Sequence, residues 1–158
     1  MAHVPPRAPR TVDPIDATTL LAESFDHDQV TGLRHRVAGH ARALGLTGQR
    51  LDDFVLAVNE LTTNAVRHGG GRGWLRLWSA GRTVLCEVSD HGAGLTPERA
   101  NDRRHPASDI VGGWGLWLAR QLSDGMTVRS GPAGTTVRIA SVAQAPVDGA
   151  PAPPDAPR

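Results

Sequence analysis

The chain has 158 residues, a size that suits one domain built around one core. Its 17 basic and 16 acidic side chains nearly cancel to a formal charge of +1, which argues against a dedicated nucleic-acid binder and against a polybasic membrane anchor. Every basic residue is Arg, and the missing Lys excludes a Walker A phosphate loop and Schiff-base chemistry.

Residues 1–15 include Pro5, Pro6, Pro9 and Pro14 and show no apolar run of a secretory signal. They read as a flexible tail, and a cytoplasmic protein is expected, with no stretch approaching a membrane span. Leu20 to Phe25 suggests a first short strand. From Asp28, Val30, Leu33, Val37, Ala41 and Leu44 recur on one helix face, which Gly45 can end. A second helix has Thr47 as its cap, with Asp52 and Asp53 near its positive end. Its apolar stripe is Leu51, Phe54, Val55, Val58, Leu61, Thr62 and Ala65, and Gly69-Gly70-Gly71 terminates it.

Trp74–Trp78 and Thr83–Ser89 read as a hairpin turning at Ala80-Gly81-Arg82. Cys86 sits in its second, apolar arm and reads as a small core residue; one cysteine makes neither an internal disulfide nor a zinc cluster. The Gly- and Pro-containing stretch 90–113 is long for an idle connection. A third helix follows from about Gly115 to Ser123. Met126–Ser130 and Thr135–Ser141 form a second hairpin around Gly131–Gly134. Residues 143–158 hold five more Pro and read as a second tail, leaving a folded unit over 16–142. The layout predicts an α/β sandwich with helices on one sheet face.

Four places carry residues suited to chemistry. Glu60 and Asn64 are four apart on the second helix, so they share a face at the edge of its apolar stripe, with Arg67 on the same edge. A carboxylate and a carboxamide there can orient a water and a Mg²⁺ ion, or simply face solvent. In Asp90-His91-Gly92-Ala93-Gly94, Asp90 shares a strand face with Val84, Cys86 and Val88. A carboxylate at the end of a core strand needs a partner. A ligand amino group would serve, and so would the turn's own backbone. Gly112-Gly113-Trp114-Gly115-Leu116 leads into the third helix and is either a hinge or a set of free N–H groups for phosphate. Gly134-Thr135-Thr136 opens the last strand and on its own is an ordinary hairpin turn. The seven His lack metal-ligand spacing, and no GxSxG nucleophile pattern occurs.

In order and spacing, Glu60-Leu-Thr-Thr-Asn64-Ala-Val-Arg-His68-Gly, Asp90-His-Gly-Ala-Gly94, Gly113-Trp-Gly115-Leu116 and Gly134-Thr135-Thr136 resemble the N, G1, G2 and G3 boxes of the GHKL ATPases (gyrase, histidine kinase and MutL type). The resemblance covers about 28–141. The short single domain looks most like the bacterial anti-sigma-factor serine kinase branch. It implies the Bergerat fold: an α/β two-layer sandwich with a mixed, mostly antiparallel sheet and three helices on one face.

The resemblance implies that Asn64 coordinates Mg²⁺ on the phosphates of ATP and that Glu60 is the general base. Asp90 would accept from the adenine amino group, with Gly92 and Gly94 lining the adenine pocket and Thr135 beside Asp90. Residues from about Pro97 to Gly112 would form an ATP lid. Gly113, Gly115 and Leu116 would offer backbone N–H groups to the phosphates, and Arg67 joins the nucleotide-binding set. The implied activity is phosphorylation of an anti-anti-sigma (STAS-type) protein by Mg·ATP, with a sigma factor as second partner. A homodimer is allowed, and neither direct nucleic acid nor membrane is expected. Trp114 departs from the branch, where Arg is frequent, and Arg99, Arg103 and Arg104 in the lid are possible replacements. That departure keeps a second reading open, a non-catalytic ATP-binding module acting through protein contacts.

Overall fold

The computed structural model describes residues 17–92 and 114–144. The lid stretch with Arg99, Arg103 and Arg104, Gly94, Gly113 and the Trp114 side chain lie outside the described residues, as do residues 1–16 and 145–158.

Strand β1 (Ala17–Asp26) is longer than its apolar core suggests, and its register slips between Thr19 and Leu21. Asp26 ends it and caps a short 3₁₀ turn over His27–Gln29. Its carboxylate accepts from the Asp28 N–H at 3.0 Å, and Gln29 Oε1 accepts from the Asp26 N–H at 3.0 Å. Helix α1 (Val30–Ala43) buries Leu33, Val37 and Ala41, one residue per turn. Gly45, at φ 103°, reverses the chain: its N–H donates to the Arg42 carbonyl, and the Leu46 N–H donates to that of Ala41. Leu46 is thereby delivered into the core.

Helix α2 (Gly48–His68) is the central element, flanked by Thr47 and Gly69. Thr47 has the extended backbone of a cap, yet its hydroxyl makes no capping bond. Asp52 and Asp53 fall in the second turn rather than the first, and Asp53 accepts from the Gln49 side chain at 2.7 Å. The buried face is Leu51, Phe54, Ala57, Val58, Leu61, Thr62 and Ala65. Ala57 joins the expected stripe, and Val55 is only half-buried because it lies toward α1. Thr62 stays in a buried stripe because its hydroxyl donates to the Asn59 carbonyl at 3.1 Å.

Strands β2 (Arg72–Ala80) and β3 (Thr83–Asp90) pair from Ala80–Thr83 outward, around a two-residue turn with Gly81 at φ 58°. Helix α3 (Trp114–Leu122) leads to β4 (Gly125–Gly131) and β5 (Gly134–Val142), joined through Pro132-Ala133. The sheet order is β1-β2-β3-β5-β4, and all four pairings are antiparallel, so no parallel pair enters the sheet among the described residues. Register puts Leu75, Leu77, Val84, Cys86, Val88, Val137 and Ile139 on one face, where they join Leu33, Phe54, Leu61 and Ala119 in one core. Helices and sheet thus form two layers. Cys86 is fully buried, and burial, reinforced by the neighbouring Glu87 charge, pushes its thiol far above the ordinary range. It is a packing residue, not a nucleophile.

Candidate functional site

The site forms where the end of β3, the end of α2 and the start of β5 converge. Asp90 closes β3 opposite Gly73, on the same sheet face as Val88 and Cys86. The core ends there, so the carboxylate sits half-buried under the C-terminus of α2. One oxygen, Oδ1, accepts from the Gly92 N–H at 2.9 Å and the Thr135 N–H at 3.3 Å. Asp90 therefore does brace its own turn, and the same oxygen ties that turn to β5. Its other oxygen, Oδ2, has no partner among the described residues. A half-buried carboxylate with one saturated and one open oxygen is a ready acceptor for a ligand N–H group.

Glycine makes this approach possible. A Cβ on Gly69 would lie 2.3 Å from the Asp90 Cβ, and one on Gly92 would lie 2.5 Å from the His68 carbonyl oxygen. A Cβ on Gly134, which has φ 137°, would lie 2.0 Å from the Asp90 carbonyl oxygen. Real Cβ atoms do not tolerate these separations. Gly92 was legible in the sequence. Gly69 reads there only as a helix stop and Gly134 only as a turn. Their closeness to Asp90 depends on pairings between strands far apart in the chain.

Glu60 and Asn64 lie half-buried on the edge of α2 that faces α3, and Arg67 is exposed on the last turn. Measured along the α2 axis, Asn64 is about 7 Å and Glu60 about 13 Å from Gly69. The side-chain row therefore runs away from Asp90. Gly115 comes closest to Glu60, where a Cβ would lie 3.4 Å from Glu60 Oε2. The first turn of α3, the positive end of that helix's dipole, is thus set beside the Glu60 carboxylate. Leu116 is buried and anchors that turn to the core. Neither Glu60 nor Asn64 has a side-chain hydrogen-bond partner among the described residues. Thr135 is buried beside Asp90, its hydroxyl 2.8 Å from that of Ser130.

Glu60 and Gly115, with Asn64 and Leu116 next to them, thus lie one to two turns before the C-terminus of α2, and Asp90, Gly92 and Thr135 gather at that terminus. Among the described residues no group of three or more His, Cys, Asp or Glu side chains is disposed to hold a metal ion. The open Asn64 carboxamide still fits Mg²⁺, which accepts few protein oxygens and completes its shell with phosphate and water. The free Asp90 oxygen and the glycine packing around it fit an adenine amino group. Among the described residues, no helix is long and apolar enough to cross a membrane.

Residues 24–141 match the histidine kinase-like ATPase domain family. Among solved structures, the chain is similar to the RsbU and RsbW domains of Rv1364c from Mycobacterium tuberculosis, at 20% identity and a TM-score of 0.56, over 78% of this chain and 32% of that one. It also matches the histidine kinase domain of the blue-light activated histidine kinase EL346 from Erythrobacter litoralis, at 22% identity and a TM-score of 0.49, over 72% of this chain and 61% of that one. The chain thus spans about a third of the first structure's length, and that likeness is one of fold. No curated protein sequence matches. With the family match covering both ends of the site, the chain belongs to the histidine kinase-like ATPase domain family and is an ATP-binding domain of GHKL type.

Proposed function

We propose that this domain is an anti-sigma-factor serine/threonine protein kinase, which uses Mg·ATP to phosphorylate a small anti-anti-sigma protein of STAS type and otherwise retains a sigma factor. The observation that carries this reading is the site's polarity: an open carboxylate oxygen at Asp90 at one end, and Glu60 with Asn64 beside a helix N-terminus at the other. Family membership supports nucleotide binding. The four-box order supports the kinase branch. A cytoplasmic location goes with it.

In this reading Asp90 Oδ2 accepts from the adenine amino group, and the Gly92 and Gly94 backbone lines the base. Thr135 keeps Oδ1 occupied, so that the acceptor cannot swing away. Asn64 is the protein ligand to Mg²⁺, which when bound offsets phosphate charge. The N–H groups of Gly113, Gly115 and Leu116 face the phosphates, and Arg67 adds positive charge at the mouth. Glu60 takes the proton of the incoming serine hydroxyl as that oxygen attacks the γ-phosphorus, while the bond from that phosphorus to the β–γ bridging oxygen breaks and ADP leaves with the electron pair. The phosphate placed on the partner adds roughly two negative charges and loosens its hold.

The test is phosphoryl transfer from γ-labelled ATP to a candidate STAS-type domain. Wild type should label the partner. Glu60→Ala should bind Mg·ATP as before but lose transfer by at least about 100-fold, the usual scale of a general base. Intact transfer in that variant would remove Glu60 as the base. Nucleotide binding without transfer to any partner in the wild type would favour the non-catalytic module, the reading that Trp114 in place of Arg keeps alive.

A further inference from the structure

The helices pack on one sheet face, and the nucleotide site uses nothing of the other. By register that outer face carries Trp74, Arg76 and Trp78 of β2, Leu85 and Glu87 of β3, and Arg138 of β5. Trp78 is fully buried there, yet its indole Nε1–H has no acceptor among the described residues. A buried donor left unpaired costs about 1–3 kcal/mol, so this indole calls for an acceptor from outside the sheet. On the same face Trp74 is 47% and Val142 39% exposed, two of the three large apolar side chains left that open.

The charges of this face are unbalanced. Arg72, Arg76, Arg129 and Arg138 stand against Asp26 and Glu87. Asp26 caps the turn after β1, and Glu87 holds Arg138. Arg76 lies over the Trp78 ring and donates to the Thr19 hydroxyl, with no carboxylate partner among the described residues. Arg129 has neither an ion pair nor a hydrogen bond among them. Strand β5 ends at Val142, about 7 Å past the row of Trp78, Leu85 and Ala140. Beyond it, residues 145–158 hold five Pro, Asp148, Asp155 and one Arg. At about 3.1 Å per residue in polyproline II form they reach about 43 Å, whereas the face from Val142 to Thr136 spans about 20 Å. Pro-rich segments dock on aromatic surfaces, and a polyproline II backbone has no internal hydrogen bonds, so its carbonyls can accept. A second copy of this chain laid on the face would set its arginines against these arginines. In residues 1–16, Arg7 and Arg10 cancel Asp13 and Asp16.

We propose that residues 145–158 dock along the outer sheet face of their own chain. Their proline-rich backbone packs on Trp74 and Val142, one backbone carbonyl takes the Trp78 indole N–H, and Asp148 and Asp155 meet Arg76 and Arg129. The docking is independent of the nucleotide reading, since it shares no side chain with that site.

The test uses the full chain with Ala152→Cys carrying a nitroxide; Cys86 is buried and stays unlabelled. Indole N–H signals of isotope-labelled protein are compared with the nitroxide oxidised and reduced, Trp74→Phe and Trp78→Phe assigning their two signals. With the label oxidised, the Trp74 and Trp78 signals should lose most of their intensity, and more than that of Trp117 on the helical layer. Asp148→Arg/Asp155→Arg, which leaves the sheet untouched, should restore both signals. Adding Arg76→Glu/Arg129→Glu to that variant should bring the loss back, with unchanged thermal unfolding as the check on the fold. Equal intensities in the two label states, or a loss indifferent to either charge reversal, would overturn the proposal. So would a loss that appears when isotope-labelled chains without nitroxide are mixed with nitroxide-bearing chains, because that places the segment on a second copy.

Discussion

Asp90 shows how one side chain is given two tasks by its surroundings. Its Oδ1 is saturated by two backbone N–H groups, one local at Gly92 and one from β5 at Thr135. Each is a charge-assisted bond that holds the carboxyl plane and leaves Oδ2 facing outward. The plane depends equally on Gly69, which lies in van der Waals overlap range of any added methyl. Gly69→Ala should therefore push Asp90 aside. Mg·ATP affinity is expected to fall by about tenfold or more in calorimetric titration, with stability lower by about 1–3 kcal/mol in urea unfolding, the usual cost of overpacking. Asp90→Asn separates charge from shape, because it keeps the volume but offers an N–H where an acceptor stood. Unchanged Mg·ATP affinity in that variant would remove the adenine assignment.

At the scale of elements, glycines in and after α1 act in opposite directions. Gly45 closes the helix at φ 103°, a conformation that costs an L-residue about 1–2 kcal/mol. Gly39 lies in the helix interior, is exposed, and has open space where a Cβ would go. Gly45→Ala is expected to destabilise the domain by about that amount, and Gly39→Ala to stabilise it by about 0.5–1 kcal/mol through helix propensity. Urea midpoints of the two variants should move in opposite directions. Equal shifts would mean that the end of α1 is not held by this turn. Helix α2 was legible almost throughout, since a 21-residue amphipathic helix prints its period strongly on the sequence. Its start was legible too, since Thr47 stands at the cap position and the helix begins at Gly48; only Asp52 and Asp53 fall a turn later than the positive end they were assigned to.

At the scale of the molecule, the two sheet faces are finished differently. One packs on the helices. On the other, Trp78 is fully buried, with the Arg76 guanidinium 4.4 Å and that of Arg138 5.1 Å from its ring centre. Arg138 also donates to Glu87 at 2.9 and 3.2 Å in a nearly buried pair. Leu85, Trp78 and this pair share the face by register, which no alternation rule reveals as a cluster. Because the proposed nucleotide site joins the ends of α2 and β3 with the starts of β5 and α3, ligand binding should stabilise the domain as a whole. A ligand at 100 times its Kd adds about 2.7 kcal/mol to the folded state. Saturating Mg·ATP should therefore raise the melting temperature by several degrees, and Asp90→Asn should lose that rise at the same concentration. No shift in the wild type would contradict tight binding to the folded form.

The sequence alone determined what depends on near neighbours: the three helices and the buried faces of the first two, both hairpins, the edge of the apolar stripe shared by Glu60 and Asn64, and the strand face of Asp90. These follow from periods of 3.6 and 2 and from glycine at turns, which act over a few residues. Tertiary structure alone decided that Gly69, Gly92 and Gly134 close on Asp90 from three elements and that Gly115 meets Glu60. Such contacts are set by strand register and helix docking between residues tens of positions apart. Composition and local period carry no information about which distant backbone will arrive within a few ångströms.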